Sequence, residues 1–131
     1  MLSNLQMDNL KKLFQSKPQI KLVYLFGSQV SQKTGPLSDY DFAFYAREND
    51  KKKLFDLKLN LIKELSQLLK TDKIDVVILN EAESPELKYN IIKEGKLIFE
   101  KEPYRLLIEP QILNHYFDFH NLLLRYNLTK A

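Results

Sequence analysis

Two aspartates, Asp39 and Asp41, stand one residue apart at the start of an aromatic-rich segment. Side chains alternate between the faces of a strand, so both carboxylates project from one face, about 7 Å apart along the chain. Two negative charges at that separation repel unless a cation lies between them. Oxygen-only ligands, with no cysteine in the chain and no histidine nearby, favour magnesium or manganese over zinc. The spacing therefore predicts a divalent metal site.

Asp75 is a third candidate carboxylate, because it stands in the otherwise apolar segment Ile74–Leu79. An unpaired carboxylate would be costly to bury in such a strand. If this strand neighbours the one that carries Asp41, three carboxylates meet at one place. Two metal ions held by three carboxylates are typical of in-line phosphoryl or nucleotidyl transfer. The alternative is that Asp75 faces water at the start of its strand.

The pair Gly27 and Ser28 follows a segment that reads as a buried strand. A glycine at such a position lets the backbone approach a phosphate, and exposed N–H groups with the serine hydroxyl can bind it. Lys33 is a further candidate phosphate contact. A Gly-Ser pair alone is usually only a turn, and Asp-x-Asp alone is common at surface edges. Their occurrence together with Asp75, in this order, favours the catalytic interpretation.

Helix and strand patterns alternate at short intervals and predict the scaffold that holds these residues. The predicted elements are a helix begun by Ser3 with Gln6 and ended by Pro18, a strand at Ile20–Phe26, a strand at Asp39–Tyr45, a helix from Asn49 or Asp50 to about Lys70, a strand at Ile74–Leu79, a helix begun by Ser84 and Pro85 and ended by Gly95, a strand at Lys96–Phe99, and a helix over about Pro103–Tyr126. This order predicts an α+β fold, with a mixed sheet of about four strands flanked by helices.

The size and composition suit one globular domain, with 131 residues of which 44% are hydrophobic and 28% charged. We expect a catalytic core at 1–102 and a C-terminal helix at 103–131. The absence of cysteine excludes disulfides and thiolate zinc sites. The chain also has no long apolar run and no secretory signal. Together with the absence of cysteine, these features favour a cytoplasmic protein. The net charge of +3 is dispersed and does not indicate nucleic-acid binding.

The last predicted helix is apolar on more than one side, which is typical of a helix that docks against another chain. One stripe consists of Ile108, Ile112, Tyr116, Phe119 and Leu123, and further apolar residues are Leu106, Leu107, Leu113, Phe117, Leu122 and Leu124. The alternative is a helix wrapped fully over its own domain. His115 and His120 are five apart, so they do not share one metal-binding face.

These motifs resemble the DNA polymerase β-like nucleotidyltransferase superfamily, whose signature is Gly-Ser, a spacer of this length and Asp-x-Asp. Within it the chain is similar to the minimal nucleotidyltransferases, the antitoxins of HEPN/MNT (type VII) toxin–antitoxin pairs. The similar stretches span nearly the whole chain. They are Leu25–Ser28, Leu37–Ala43, Ile74–Asn80, Glu94–Glu100 and Tyr116–Phe119.

The resemblance implies a role for each candidate residue. Gly27, Ser28 and Ser38 would bind the phosphates of ATP, and Asp39 and Asp41 would hold two Mg²⁺ ions. Asp75 would share one ion and help to deprotonate the acceptor. The resemblance further implies transfer of AMP to a tyrosine of a partner HEPN ribonuclease toxin, in an assembly of two different chains.

One departure from the family pattern leaves other functions open. The family commonly has an arginine after Gly-Ser and an Arg-Gly shortly afterwards, where this chain has Gln29, Ser31 and Gln32. A catalytically weak antitoxin that neutralises its toxin by binding alone is therefore one alternative. Transfer to a small molecule such as an aminoglycoside is another, although such enzymes generally carry an additional substrate domain.

Overall fold

A computed structural model of the chain describes residues 2–26 and 40–126. Its elements are α1 (Asn4–Gln15), β1 (Ile20–Phe26), β2 (Tyr40–Ala46), α2 (Lys51–Leu69), β3 (Ile74–Ile78), α3 (Pro85–Glu94), β4 (Lys96–Glu100) and α4 (Tyr104–Arg125). The order and type of every predicted element are confirmed. No helix within the described ranges is long and apolar enough to cross a membrane.

The strands form one mixed sheet in the order β3-β2-β1-β4. The outer strand β3 runs parallel to β2, and β1 is antiparallel to both β2 and β4. The helix α2 connects the two parallel strands, as parallel neighbours require. The predicted α+β fold with a small mixed sheet is thus confirmed.

The helix starts follow the capping residues that the sequence indicates. Ser3 and Gln6 form a reciprocal capping box at α1, with N–O distances of 2.9 and 3.1 Å. The Asp50 carboxylate accepts from the Lys52 N–H at 2.9 Å, and the Ser84 hydroxyl accepts from the Leu87 N–H at 3.2 Å. Each cap satisfies N–H groups that have no partner inside the helix.

Gly95 ends α3, although not in the left-handed conformation common at helix ends. Its φ is −74°, and its N–H donates to the Ile91 carbonyl at 2.9 Å. A Cβ at this position would lie 2.3 Å from that carbonyl oxygen and 3.3 Å from the Leu25 carbonyl oxygen. Glycine is therefore required chiefly by the Ile91 carbonyl of the preceding helical turn, and the Leu25 carbonyl of β1 restricts the position further.

One face of the sheet packs against α1 and α2. Its buried cluster consists of Leu10, Phe14, Ile20, Val23, Leu25, Phe42, Phe44, Ala46, Leu54, Leu61, Leu65, Leu69, Val76, Ile78 and Ile98. The opposite face packs against α3 and α4 through a smaller cluster. Its buried members are Leu22, Tyr24, Ala43, Leu79 and Ile91, with Tyr45, Val77 and Ile108 among the partly buried residues.

Candidate active site

Asp41 and Asp75 lie side by side near the beginnings of two parallel strands. Asp41 is the second residue of β2, Asp75 is the second residue of β3, and the two are register partners. Neighbouring strands lie about 4.8 Å apart, and register partners share a face of the sheet. The structure therefore brings together two carboxylates that are 34 positions apart in the sequence.

Both aspartates lie on the sheet face that packs against α3 and α4. Asp41 alternates with Ala43 and Tyr45 along β2, and Asp75 alternates with Val77 along β3. Ala43, Tyr45 and Val77 all contribute to the cluster under those helices. Phe42 and Phe44 point to the opposite face and pack against α1 and α2.

Asp75 is exposed, whereas Asp41 is half-buried. Asp75 therefore faces water at the start of its strand, the alternative that the sequence left open, because β3 is the outer strand of the sheet. Its register with Asp41 is what places Asp75 at the candidate site. Exposure also leaves the carboxylate accessible to a metal ion or a reacting group.

The carboxyl end of β1 lies beside the aspartates, since Phe26 is the register partner of Asp41. Gly27 and Ser28 follow Phe26 directly in the sequence. These two residues, Ser38 and Asp39 lie outside the described residues. So do Lys33 and the three positions at which the chain departs from the family pattern.

The donor set fits a divalent metal that prefers oxygen. Asp41 and Asp75 offer up to four carboxylate oxygens at one place, the ligand type that Mg²⁺ takes from proteins. Residues 2–26 and 40–126 contain no group of three or more histidine, cysteine, aspartate or glutamate side chains arranged to hold a metal. The third predicted ligand, Asp39, is two positions before Asp41 and outside those ranges.

A hydrogen bond joins α4 to the central strand β1, on the sheet face that carries Asp41 and Asp75. The buried Tyr24 hydroxyl donates to Glu109 Oε2 at 2.6 Å, and Arg105 Nε lies 3.3 Å from the same oxygen. Burial, followed by the hydrogen bond and the negative charge of Glu109, raises the pKa of Tyr24 well above its usual value. Tyr24 and Glu109 are 85 positions apart, and no sequence pattern indicated this pair.

The two histidines of α4 have different surroundings. Lys88 Nζ lies 3.4 Å from Nδ1 of His115, while the His120 ring stacks on Tyr116 with centroids 5.9 Å apart. Tyr116 in turn stacks on Tyr89 of α3 at 3.9 Å. His115 thus contacts α3 directly, whereas His120 packs on a residue of its own helix.

Much of the apolar surface of α4 does not contact the rest of the described chain. Of its residues only Ile112 is buried. Five apolar or aromatic residues of the helix and its C-cap are exposed, namely Leu106, Leu107, Phe117, Leu122 and Tyr126. The described part of the domain therefore leaves these side chains of α4 uncovered.

A mixed sheet with carboxylates at the starts of two adjacent parallel strands suits a domain of the nucleotidyltransferase type. The family model described as Polymerase beta, Nucleotidyltransferase matches residues 8–104, and the chain belongs to this family. No curated protein matches the chain.

Solved structures of toxin–antitoxin complexes contain chains of similar fold. A structure of tri-AMPylated Shewanella oneidensis HEPN toxin in complex with MNT antitoxin matches with a TM-score of 0.71 and 22% identity, over 95% of each chain. An MntA–HepT toxin–antitoxin structure matches with a TM-score of 0.70 and 23% identity, over 95% of each chain. A toxin–antitoxin structure with AMP-PNP matches with a TM-score of 0.72 and 23% identity, over 92% of this chain and 94% of that one. At these identities the likeness shows the shared fold.

Proposed function

We propose that the chain is a Mg²⁺-dependent nucleotidyltransferase that transfers AMP from ATP to a tyrosine of a HEPN ribonuclease toxin, and that it acts as the antitoxin of that protein. The observation that carries this proposal is the register of Asp41 with Asp75 in a chain of the polymerase β nucleotidyltransferase family. Carboxylates that meet at one place can hold the metal ions that stabilise the attacking and leaving oxygens in nucleotidyl transfer.

Asp39, Asp41 and Asp75 would hold two Mg²⁺ ions, and Gly27, Ser28 and Ser38 would bind the phosphates. When bound, such ions neutralise charge on the triphosphate and acidify the attacking hydroxyl. The tyrosine oxygen attacks the α-phosphorus, the bond from that phosphorus to the bridging oxygen breaks, and pyrophosphate leaves. The exposed Asp75 carboxylate is the group of this chain that receives the phenolic proton. A phenol has a pKa of about 10, so it needs such a base at neutral pH.

The acceptor is inferred from the similar structures and from α4. One of those structures contains an AMPylated HEPN toxin with its MNT antitoxin, and another contains AMP-PNP. The exposed apolar residues of α4 offer a surface on which a partner protein can dock. A protruding tyrosine of a docked protein suits a site formed at the end of an open sheet.

A second candidate is neutralisation by binding alone. The exposed apolar residues of α4 favour it, because they support docking without any chemistry. Gln29, Ser31 and Gln32, which replace the arginines and glycine common in the family, would also weaken the contacts to the triphosphate. Both candidates predict a complex with the toxin, but only the first predicts its modification.

Co-expression of the chain with the HEPN protein encoded beside it tests the proposal. Mass spectrometry of the partner should find AMP on tyrosine with the wild-type chain and none with Asp41→Asn. Asp56→Asn is the matched control, because Asp56 is exposed on α2 on the other side of the sheet. A partner that is neutralised without any modification would replace transfer by binding alone. A partner modified equally with Asp41→Asn would refute the assigned site.

A further inference from the structure

A cavity of about 270 Å³ lies between α3, α4 and the ends of β2 and β3 that are distant from the aspartates. Its polar lining consists of Tyr45, Asn80, Lys88, Gln111 and His115, and Leu79 and Ile108 are among its apolar residues. The cavity opens on the same sheet face as Asp41 and Asp75. Tyr45 comes four residues after Asp41, and Leu79 comes four residues after Asp75. At 3.3 Å per residue, the cavity therefore lies about 13 Å along the strands from the two aspartates.

Lys88 gives the described lining of this cavity a positive charge. Lys88 Nζ lies 3.4 Å from Nδ1 of His115, and an ammonium can only donate, so Nδ1 accepts. The other ring nitrogen of His115 then carries the proton and can donate to a ligand. Lys88 forms no ion pair with a carboxylate in residues 2–26 and 40–126, and no carboxylate from those ranges lines the cavity. An ammonium, an imidazole N–H and the Gln111 amide together form a donor set for an anion.

We propose that this cavity binds a small phosphomonoester, with its phosphoryl oxygens accepting from the Lys88 ammonium and from the ring N–H of His115 and its apolar part against Leu79 and Ile108. The cavity is larger than a phosphate ion needs, and its apolar residues suit the remainder of such a molecule. The site goes beyond the proposed function, because it uses none of the aspartates and requires no partner protein.

Proton–carbon NMR of the histidine rings tests this site, because the chain has two histidines and only His115 is among the residues lining the cavity. The probes are inorganic phosphate and AMP, each added at constant pH and ionic strength in EDTA, where metal-dependent transfer does not run. We expect the His115 signals to shift in a saturable manner while those of His120 stay in place. His115→Gln assigns the signals.

Lys88→Gln should weaken binding at least about tenfold, because it removes a charged donor. Lys93→Gln is the matched control, since it removes the same charge from the same helix at an exposed position outside the cavity. Shifts with both probes support a site for the phosphoryl group itself, and tighter binding of AMP supports a role for the apolar residues. No saturable shift with either probe, or equal binding by wild type and Lys88→Gln, would overturn the inference. Because EDTA is present throughout, failure here bears on the cavity and leaves the transfer reaction untested.

Discussion

The two described carboxylates of the candidate site differ in their surroundings. Asp41 is half-buried in β2, a strand with neighbours on both sides, whereas Asp75 is exposed on the outer strand β3. A side chain held in the middle of the sheet suits the fixed position of a metal ligand. A side chain open to water suits exchange of a proton with an incoming acceptor. We therefore propose that Asp39 and Asp41 chiefly bind the metal–triphosphate. Asp75 would chiefly deprotonate the acceptor.

This division predicts that Asp75→Asn leaves ATP binding largely intact but lowers the rate of AMP transfer by about 100-fold or more. Radiolabel transfer to the partner measures the rate, and calorimetry with a non-hydrolysable ATP analogue and Mg²⁺ measures binding. Asp56→Asn should match wild type in both. Transfer by Asp75→Asn within a few-fold of wild type would show that this carboxylate has no part in the reaction.

Tyr24 shows how one buried hydroxyl makes stability depend on pH. In the folded chain its pKa is raised by burial and by Glu109, while in the unfolded chain it ionises near pH 10. Above pH 10 the unfolded state therefore binds fewer protons than the folded state. The Tyr24 contribution to the free energy of unfolding is complete below pH 10 and falls above it, by at most about 1.4 kcal/mol per pH unit.

We expect Tyr24→Phe to lower the free energy of unfolding by about 1 kcal/mol at neutral pH, through loss of the hydrogen bond to Glu109. The difference from wild type should shrink above pH 10, because the variant has no hydroxyl to ionise. Urea unfolding at several pH values measures both effects. Tyr126→Phe, at a residue that is 63% exposed, should change neither. A difference that stays constant above pH 10 would contradict the role given to the hydroxyl.

At the scale of elements, α2 ends at a residue whose side chain is poorly suited to the backbone conformation at that position. Lys70 is the C-cap and has φ 56° and ψ 41°, the left-handed region that favours glycine. Its N–H and that of Thr71 both donate to the Ser66 carbonyl, which satisfies the helix end. The position must be left-handed because the chain turns there towards β3.

Lys70→Gly should therefore stabilise the fold by about 1 kcal/mol, because glycine adopts this conformation without steric cost. The same substitution in the middle of the helix, Lys63→Gly at an exposed position, should destabilise the fold by about 1 kcal/mol. Urea unfolding of the two variants provides the comparison. Loss of stability in both would refute the conformational argument at position 70.

At the scale of the whole molecule, exposed apolar residues occur on two sides. On α4 they include Phe117 and Leu122, and on α2 they include Phe55 and Leu59. Because α2 and α4 lie on opposite faces of the sheet, one partner of ordinary size would contact the exposed apolar residues of only one of these helices. Of these two helices, α4 is the one on the same face as Asp41 and Asp75. A partner that presents a tyrosine to the carboxylates would therefore dock on α4.

Leu122→Ser should weaken binding of the HEPN partner about tenfold, because losing about 1.4 kcal/mol of apolar burial at the interface raises the dissociation constant by that factor. Leu59→Ser is a closely matched control, since both leucines are 47% exposed in the free chain. The Leu59→Ser substitution should change the dissociation constant of the complex less than threefold. Calorimetry with the purified partner measures both, and a larger effect at position 59 would move the docking surface to α2.

Much of this molecule is determined by local sequence. The capping box at Ser3, the cap at Ser84 and the strand Ile20–Phe26 are as predicted, because capping and the alternation of side chains depend on neighbours a few residues away. The second strand was predicted at Asp39–Tyr45. It ends one residue later than predicted, at Ala46, and the predicted first residue, Asp39, lies outside the described residues. Asn80 accounts for that end, since its amide donates to the Ala46 carbonyl at 2.6 Å and accepts from the Ala46 N–H at 3.0 Å.

The tertiary structure alone decided which distant residues meet. Asp41 faces Asp75 because β2 and β3 pair in one of several registers that their similar apolar patterns would allow. The exposure of Asp75 follows from the place of β3 at the edge of the sheet, which local sequence does not specify. The contacts of Tyr24 with Glu109 and of Lys88 with His115 likewise depend on how α4 crosses β1 and α3. Helix periodicity predicts which residues share a face, but the packing of the whole chain selects the element that this face meets.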